Sequence, residues 1–222
     1  MPPSVIPPTP TDSDYAARKR DYVDHPMFMS DDPIDLFEQW LSEAGETEPN
    51  DPNAMTVATV DPYGLPDARI LLLKGVDAKG FVFFTNDNSD KGEQLKTGKK
   101  AALCFHWKTK KRQVRVRGPV AQVSKKESDD YFASRARGSQ IGAWASDQSS
   151  VISSREVLLD QIEAVETRFD GRSIVRPPHW NGWRVKPLSI EFWEDGAFRL
   201  HDRRRFHRAR IGARWQSERL SP

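Results

Sequence analysis

Arg69-Ile70-Leu71-Leu72-Leu73-Lys74 is an apolar run closed by a cation at each end, and its flanks decide the fold. Upstream, Met55 to Val60 alternates, and Asp61-Pro62-Tyr63-Gly64 has the composition of a turn. Downstream, Gly80-Phe81-Val82-Phe83-Phe84-Thr85 and Ala101 to Trp107 read as further strands, with a short helical insert at about 91–98. Arg112-Gln113-Val114-Arg115-Val116-Arg117 alternates polar and apolar, like a strand with one wet face. Short turns join these strands, so the pattern predicts an antiparallel barrel rather than βαβ units.

Around this barrel the periodicity changes. Asp32-Pro33 opens a helix, with Asp as N-cap and Pro at the first helical position. Phe37, Trp40, Leu41 and Ala44 then share one face, and Gly45 is a stop. A second helix is expected at about 125–136, followed by a Gly- and Ser-rich stretch from Arg137 to Ser150. Ser153-Ser154-Arg155-Glu156 has capping-box form and leads an amphipathic helix through Leu158, Ile162, Val165 and Phe169. Residues 171–182 read as an irregular connection before two final strands, Trp183 to Glu194 and Phe198 to about Arg208. The Pro- and Ser-rich start predicts a disordered tail over 1–18, leaving a single α+β domain over 19–222.

Composition excludes several function classes. Among 222 residues, 34 are basic and 32 acidic, a balance that argues against wholesale nucleic-acid coating. The single cysteine, Cys104, sits in an apolar run, so no disulfide framework exists and a buried side chain is expected. No apolar stretch approaches the ~20 residues that span a bilayer. The N-terminal residues lack the basic and apolar regions of a signal peptide, so a cytoplasmic location is expected. No dinucleotide-binding glycine motif, Walker loop, His-Glu-x-x-His or Gly-x-Ser-x-Gly is present. His25, His106, His179, His201 and His207 are scattered, and no metal is expected.

What remains is a set of cations and hydroxyls at the ends of apolar strands. Arg69 and Lys74 bracket one strand, and Ser89 and Lys91 follow another. Tyr131 and Arg135, four apart on the expected helix, share a face, and Ser139 follows in a Gly-containing turn. Gln148-Ser149-Ser150 precedes a helix. Arg199, His201 and Arg203 alternate on an expected strand and so point the same way. Arg offers a planar fork of donors, Lys a point charge, and hydroxyls fill the remaining acceptors of a phosphate monoester. Two separated cationic clusters suggest two phosphates, a cofactor's and a substrate's.

The sequence resembles the pyridoxine (pyridoxamine) 5′-phosphate oxidase family from about Lys19 to Pro222. Seven blocks in order carry the resemblance: Arg69 to Lys74, Tyr131 to Arg135, Ser139 to Trp144, Gln148 to Ser150, Ile190 to Trp193, Arg199 to Arg203, and Glu218-Arg219-Leu220-Ser221-Pro222. The resemblance implies an FMN-binding split β-barrel with peripheral helices, working as a homodimer with FMN at the interface. It implies FMN contacts at Arg69, Ile70, Leu71, Leu72, Lys74, Phe84, Thr85, Lys91, Gln113, Gln148, Ser149, Trp193 and Arg203. It implies a substrate-phosphate grip from Lys74, Tyr131, Arg135 and Ser139, with Arg199 and His201 flanking the pyridine ring as catalytic residues. Lys19 and Tyr22 match a mobile segment that closes over substrate.

The implied reaction oxidises pyridoxine or pyridoxamine 5′-phosphate to pyridoxal 5′-phosphate, with O2 as the final oxidant. One departure lies beside the expected FMN phosphate, where Asp90 stands in a position the family commonly gives to Arg. Asp90 is expected to point to solvent while Arg69 and Lys91 carry the phosphate. Two rival readings are a phenazine-pathway flavin oxidase and a non-catalytic split-barrel carrier. The phosphate grip speaks against the first, and retention of both Arg199 and His201 against the second.

Overall fold

The computed structural model describes residues 9–16 and 26–222. Lys19 and Tyr22 lie outside the described residues. In chain order the elements are α1 (Asp12–Ala16), α2 (Pro33–Gly45), β1 (Ala54–Val60), β2 (Pro66–Leu72), β3 (Gly75–Asp77), β4 (Gly80–Asn86), α3 (Asp90–Gly98), β5 (Lys100–Trp107) and β6 (Arg112–Gln122). They continue with α4 (Lys125–Ser134), α5 (Arg137–Ala145), α6 (Arg155–Arg168), β7 (Trp180–Val185), β8 (Ser189–Glu194), β9 (Asp202–His207) and β10 (Gln216–Arg219). The sequence suggests one domain over 19–222, whereas the contacts divide the chain into two compact units, with boundaries at 52/53, inside β5, inside β6 and at 188/189.

The larger unit spans residues 53–105 and 116–188. Its pairings are antiparallel, as the strand pattern predicts. β1 pairs β2 from Ala54↔Leu72 to Val60↔Pro66, and its other edge meets β5 at Val57↔Leu103. β4 pairs β3 and β7, and the end of β6 also pairs β7. Val57, Phe81, Phe83, Leu103 and Phe105 are fully or almost fully buried. Cys104, expected to be buried, is only half-buried on β5. A second cluster joins Phe132, Ile141, Phe169, Ile174 and Trp180, with Ile162 and Val165 of α6 packed on its rim.

Two helices in this unit depart from expectation. The Gly- and Ser-rich stretch expected as a loop forms α5 over Arg137–Ala145, because Ile141 and Ala145 bury one face. Tertiary burial here outweighs the weak helix propensity of Gly138, Ser139 and Gly142. The N-cap of α6 is Ser154, without a side-chain capping bond to the backbone, so the expected box at Ser153 is absent.

The smaller unit spans residues up to 52, 106–115 and from 189 onward. α2 begins and ends where its sequence signals place it, and the Asp32 carboxylate accepts from the Ile34 N–H at 2.7 Å. Phe37, Trp40 and Ala44 are buried, and Trp40 meets Phe192 edge-on at 5.1 Å. β8, β9 and β10 form an antiparallel meander, and β8 also lies beside β6.

Three further details differ from the sequence reading. Within the expected tail, Asp12–Ala16 forms one helical turn whose Tyr15 lies 5.1 Å from Phe198. The expected strand 183–194 is two strands, β7 and β8, separated at residues 186–188. The expected strand from Phe198 starts only at Asp202, because Phe198 and Arg199 adopt left-handed backbone at φ 56° and 65°. Among the described residues, no helix is long and apolar enough to cross a membrane.

Candidate active site

A cleft of about 410 Å3 opens in the larger unit. Leu71 and Leu72 of β2, Lys74 just beyond it, and Phe84 and Thr85 of β4 form one wall. Tyr131, Arg135, Ser139 and Gln148 form the other, so nine residues expected at the site line a single cavity. Of the expected residues on this strand, Arg69 and Ile70 lie outside the cleft wall, and Ile70 is 64% exposed. The pleat turns it away from its neighbour Leu71.

The floor is aromatic. Phe84 stacks on Tyr131 at 4.1 Å and on Trp180 at 5.2 Å, with interplanar angles of 20° and 10°. Gly182, opposite Phe84 on β7, makes room for this stack. A Cβ there would lie 2.7 Å from the Phe84 ring and 2.5 Å from Val123.

Arg135 is the distinctive cation of the cleft. The expected helix over 125–136 stops at Ser134, and Arg135 is its C-cap with extended backbone. It therefore meets Tyr131 across a helix end rather than along a helical face. Its guanidinium sits 4.7 Å over the Trp180 ring. Its Nη1 is buried without a hydrogen-bond partner in the protein. Burial pushes the guanidinium pKa below its ordinary value, with Tyr131 opposing. A buried donor left unpaired costs about 1–3 kcal/mol, so an anion that reaches it gains that much in return. Ser139 stands on α5 rather than in a turn, and Lys74 is exposed at the rim.

A second cationic group gathers at the start of α3. Ser89 caps the helix, its hydroxyl accepting from the Gly92 N–H at 3.3 Å. Lys91 donates to Gln148 Oε1 at 2.6 Å and to the Ser89 hydroxyl at 3.2 Å. Burial, then the Arg69 charge, lowers the Lys91 pKa, while Asp90 and Asp67 oppose. Arg69 itself donates to the Thr59 hydroxyl at 2.6 Å and to the Val57 carbonyl at 3.1 Å, and pairs with Asp67. Ser149 adopts left-handed backbone at φ 75°, and its hydroxyl accepts from the Asp90 N–H at 3.3 Å. The Asp90 side chain is exposed, in the first turn of the helix. Two neighbouring cations at a helix N-terminus, backed by hydroxyls, form a donor set suited to a phosphate dianion.

The remaining expected residues belong to the smaller unit. Gln113 lies half-buried on β6, and Trp193 and Arg203 face each other across β8 and β9. Arg203 donates to Glu191 at 2.7 Å and to the Ser221 carbonyl at 2.8 Å. Arg115 also pairs with Glu191. His201 lies 4.5 Å from the Trp193 ring. Arg199 is exposed in the left-handed turn, so the expected alternation of Arg199, His201 and Arg203 along one strand does not form.

Sequence reasoning missed Trp180, Asn86 and Ser146 on the cleft wall, and Glu191 beneath Arg203. Their partners lie far along the chain, and no local pattern marks them. Aromatic enrichment around Trp180 was the one available signal.

Comparison with known proteins covers both units. Residues 41–169 match the family described as pyridoxamine 5′-phosphate oxidase, and residues 180–222 match the pyridoxine 5′-phosphate oxidase C-terminal dimerisation region. The pyridoxine/pyridoxamine 5′-phosphate oxidase of Caulobacter vibrioides is 52% identical over 99% of this chain and 98% of its own length. The enzyme of that name from Maricaulis maris is 54% identical over 98% of each. Among solved structures, PhzG from Burkholderia lata 383, in complex with tetrahydrophenazine-1-carboxylic acid, superposes with a TM-score of 0.83. It is 28% identical over 90% of this chain and 98% of its own. The fold is α+β, a split antiparallel β-barrel with peripheral helices. Barrel, cationic cleft and a near-full-length match at 52% identity agree, and the chain belongs to the pyridoxamine 5′-phosphate oxidase family.

Proposed function

We propose that this chain is an FMN-dependent oxidase that converts pyridoxine 5′-phosphate and pyridoxamine 5′-phosphate to pyridoxal 5′-phosphate. The observation that carries the reading is the buried, unpartnered Arg135 Nη1 on the wall of a cleft that also holds Lys74, Tyr131 and Ser139. Those four residues grip the substrate phosphate, and that remote binding energy fixes the ring for reaction. Arg69, Lys91, Gln148 and Ser149 hold the cofactor phosphate at the start of α3, with Asp90 turned to solvent. Leu71, Leu72, Phe84 and Thr85 form the apolar bed beside it, and the backbone at Ile70 adds a contact.

FMN, when bound, would supply a hydride acceptor for the 4′ carbon and a route for the electrons to O2, giving hydrogen peroxide, and with the amine substrate water would hydrolyse the resulting imine to the aldehyde and ammonia. Arg199 lies against the pyridine and offsets charge that develops on it. His201 orients the ring substituents, and Gln113, Trp193 and Arg203 contact the flavin. The site is completed in a homodimer, which fits the dimerisation region matched over residues 180–222. Lys19 and Tyr22 are further substrate-binding residues in this reading.

The test is anaerobic. Protein loaded with FMN is mixed with pyridoxine 5′-phosphate and the flavin absorbance is followed. Bleaching that returns on admitting air is expected. Pyridoxine without its phosphate should bleach far more slowly, because the Arg135 grip is then unused. No bleaching with FMN bound overturns the oxidase reading in favour of a carrier. Equal rates with and without the phosphate overturn the B6-phosphate assignment in favour of another ring substrate.

A further inference from the structure

His201 has a donor and an acceptor beside one nitrogen. Its Nδ1 accepts from the Gly196 backbone N–H at 3.2 Å. The same Nδ1 lies 3.3 Å from Asp195 Oδ1. A nitrogen that accepts from an amide carries no proton, so the neutral ring holds its proton on Nε2. In that state Asp195 is a bystander. When the ring gains a second proton, Nδ1 becomes a donor, the Gly196 bond is lost and the Asp195 carboxylate is the partner within reach.

Backbone hydrogen bonds tie down the segment that offers these two groups. The Asp195 N–H donates to the Lys111 carbonyl at 3.0 Å, tying it to the turn that precedes β6. Leu200 and His201 donate to the carbonyls of Ala197 and Arg199, each at 3.0 Å. Phe198 and Arg199 hold left-handed backbone, a strained state for residues with side chains. A Cβ on Gly196 would lie 1.9 Å from the Leu200 carbonyl oxygen, so only glycine permits this closure. The Trp193 ring packs 4.5 Å from the imidazole, tilted by 44°.

We propose that Asp195 is a positioning residue for His201: with the Gly196 N–H it gives the imidazole two discrete hydrogen-bonded states, one neutral with Nε2–H presented and one protonated and paired to the carboxylate. The proposal rests on the oxidase reading only for its consequence, that the neutral state is the one that orients substrate. The charged surroundings set the balance. Arg199 and Arg203 face the ring and oppose its protonation, while Asp195 favours it. Burial is the strongest influence and holds the His201 pKa below its ordinary value, with the two arginines adding to it. α1, packed on this turn through Tyr15 and Phe198, brings Asp12 and Asp14 to the same end, and Lys111 stands on the adjoining turn.

The experiment is an NMR titration of the five ring systems in FMN-loaded protein labelled with 15N-histidine, with the His201 signal assigned by loss in His201→Gln. In the unsubstituted protein above the titration midpoint, the proton is expected on Nε2; a proton on Nδ1 overturns the proposal without any Asp195 variant. Asp195→Asn keeps the shape and removes the charge. It should lower the His201 midpoint by about half a pH unit or more, and the acid limb of kcat/KM should move with it. An unmoved midpoint overturns the proposal, and so does an acid limb that stays while the midpoint shifts. If the protein fails the anaerobic assay while the midpoint still moves, the oxidase reading falls and the Asp195 pairing stands.

Discussion

At the scale of single residues, Arg135 decides more than its neighbours. It is the one cation in the cleft wall with a buried unpaired nitrogen. Arg135→Ala should therefore raise KM for pyridoxine 5′-phosphate by about 10- to 100-fold, the equivalent of about 1.5–3 kcal/mol for lost charged hydrogen bonds. It should leave FMN content unchanged, because the cofactor grip lies at the start of α3. Steady-state kinetics beside the flavin-to-protein ratio reads both, and an unchanged KM refutes the phosphate assignment. Arg135 was legible in sequence as a cation four residues from Tyr131. The reason for its reach was not: it caps a helix instead of continuing it.

At the scale of elements, the strands were readable and their interruptions were not. β1, β4 and β5 fall where alternation and apolar runs place them, while β2 starts earlier, at Pro66, and ends at Leu72, before Lys74. α5 was hidden because its glycines and serine carry loop composition and its burial partners, such as Phe169 and Ile174, come later in the chain. The break at residues 198–201 was hidden because Phe and Arg give no sign of left-handed backbone. β8 and β9 are joined by Glu191, which bonds Arg203 and Arg115. Burial opposes its ionisation, but these hydrogen bonds prevail and hold its pKa below the ordinary 4.5. A depressed carboxylate stabilises the fold fully above the unfolded value and loses that contribution as pH falls through the folded value. Glu191→Gln should thus cost about 1.5–3 kcal/mol at neutral pH. The gap should narrow below about pH 4.5 as the parent carboxylate takes up its proton. Denaturant melts at neutral and acid pH measure it, and a gap that stays constant excludes the linkage.

At the scale of the whole molecule, each unit holds only part of the expected constellation. The phosphate-binding groups lie in the larger unit, and Gln113, Trp193, Arg199, His201 and Arg203 in the smaller. The resemblance assigns them to shared sites in a dimer, and exposed Ile70, Tyr63 and Leu65 offer apolar surface for a second copy to cover. The solution mass should be about twice 25.3 kDa, and turnover per chain should fall when dilution populates the monomer. Sedimentation combined with an activity dilution series checks this, and full specific activity in a 25.3 kDa species overturns the shared site.

The stacked floor of the cleft has a practical consequence. Trp180 lies directly beneath the Arg135 guanidinium, so the charge over its ring changes whenever an anion draws that guanidinium toward itself. The indole is thus a built-in optical reporter of phosphate occupancy. Its emission in flavin-free protein can follow ligand entry in real time, separately from any redox event.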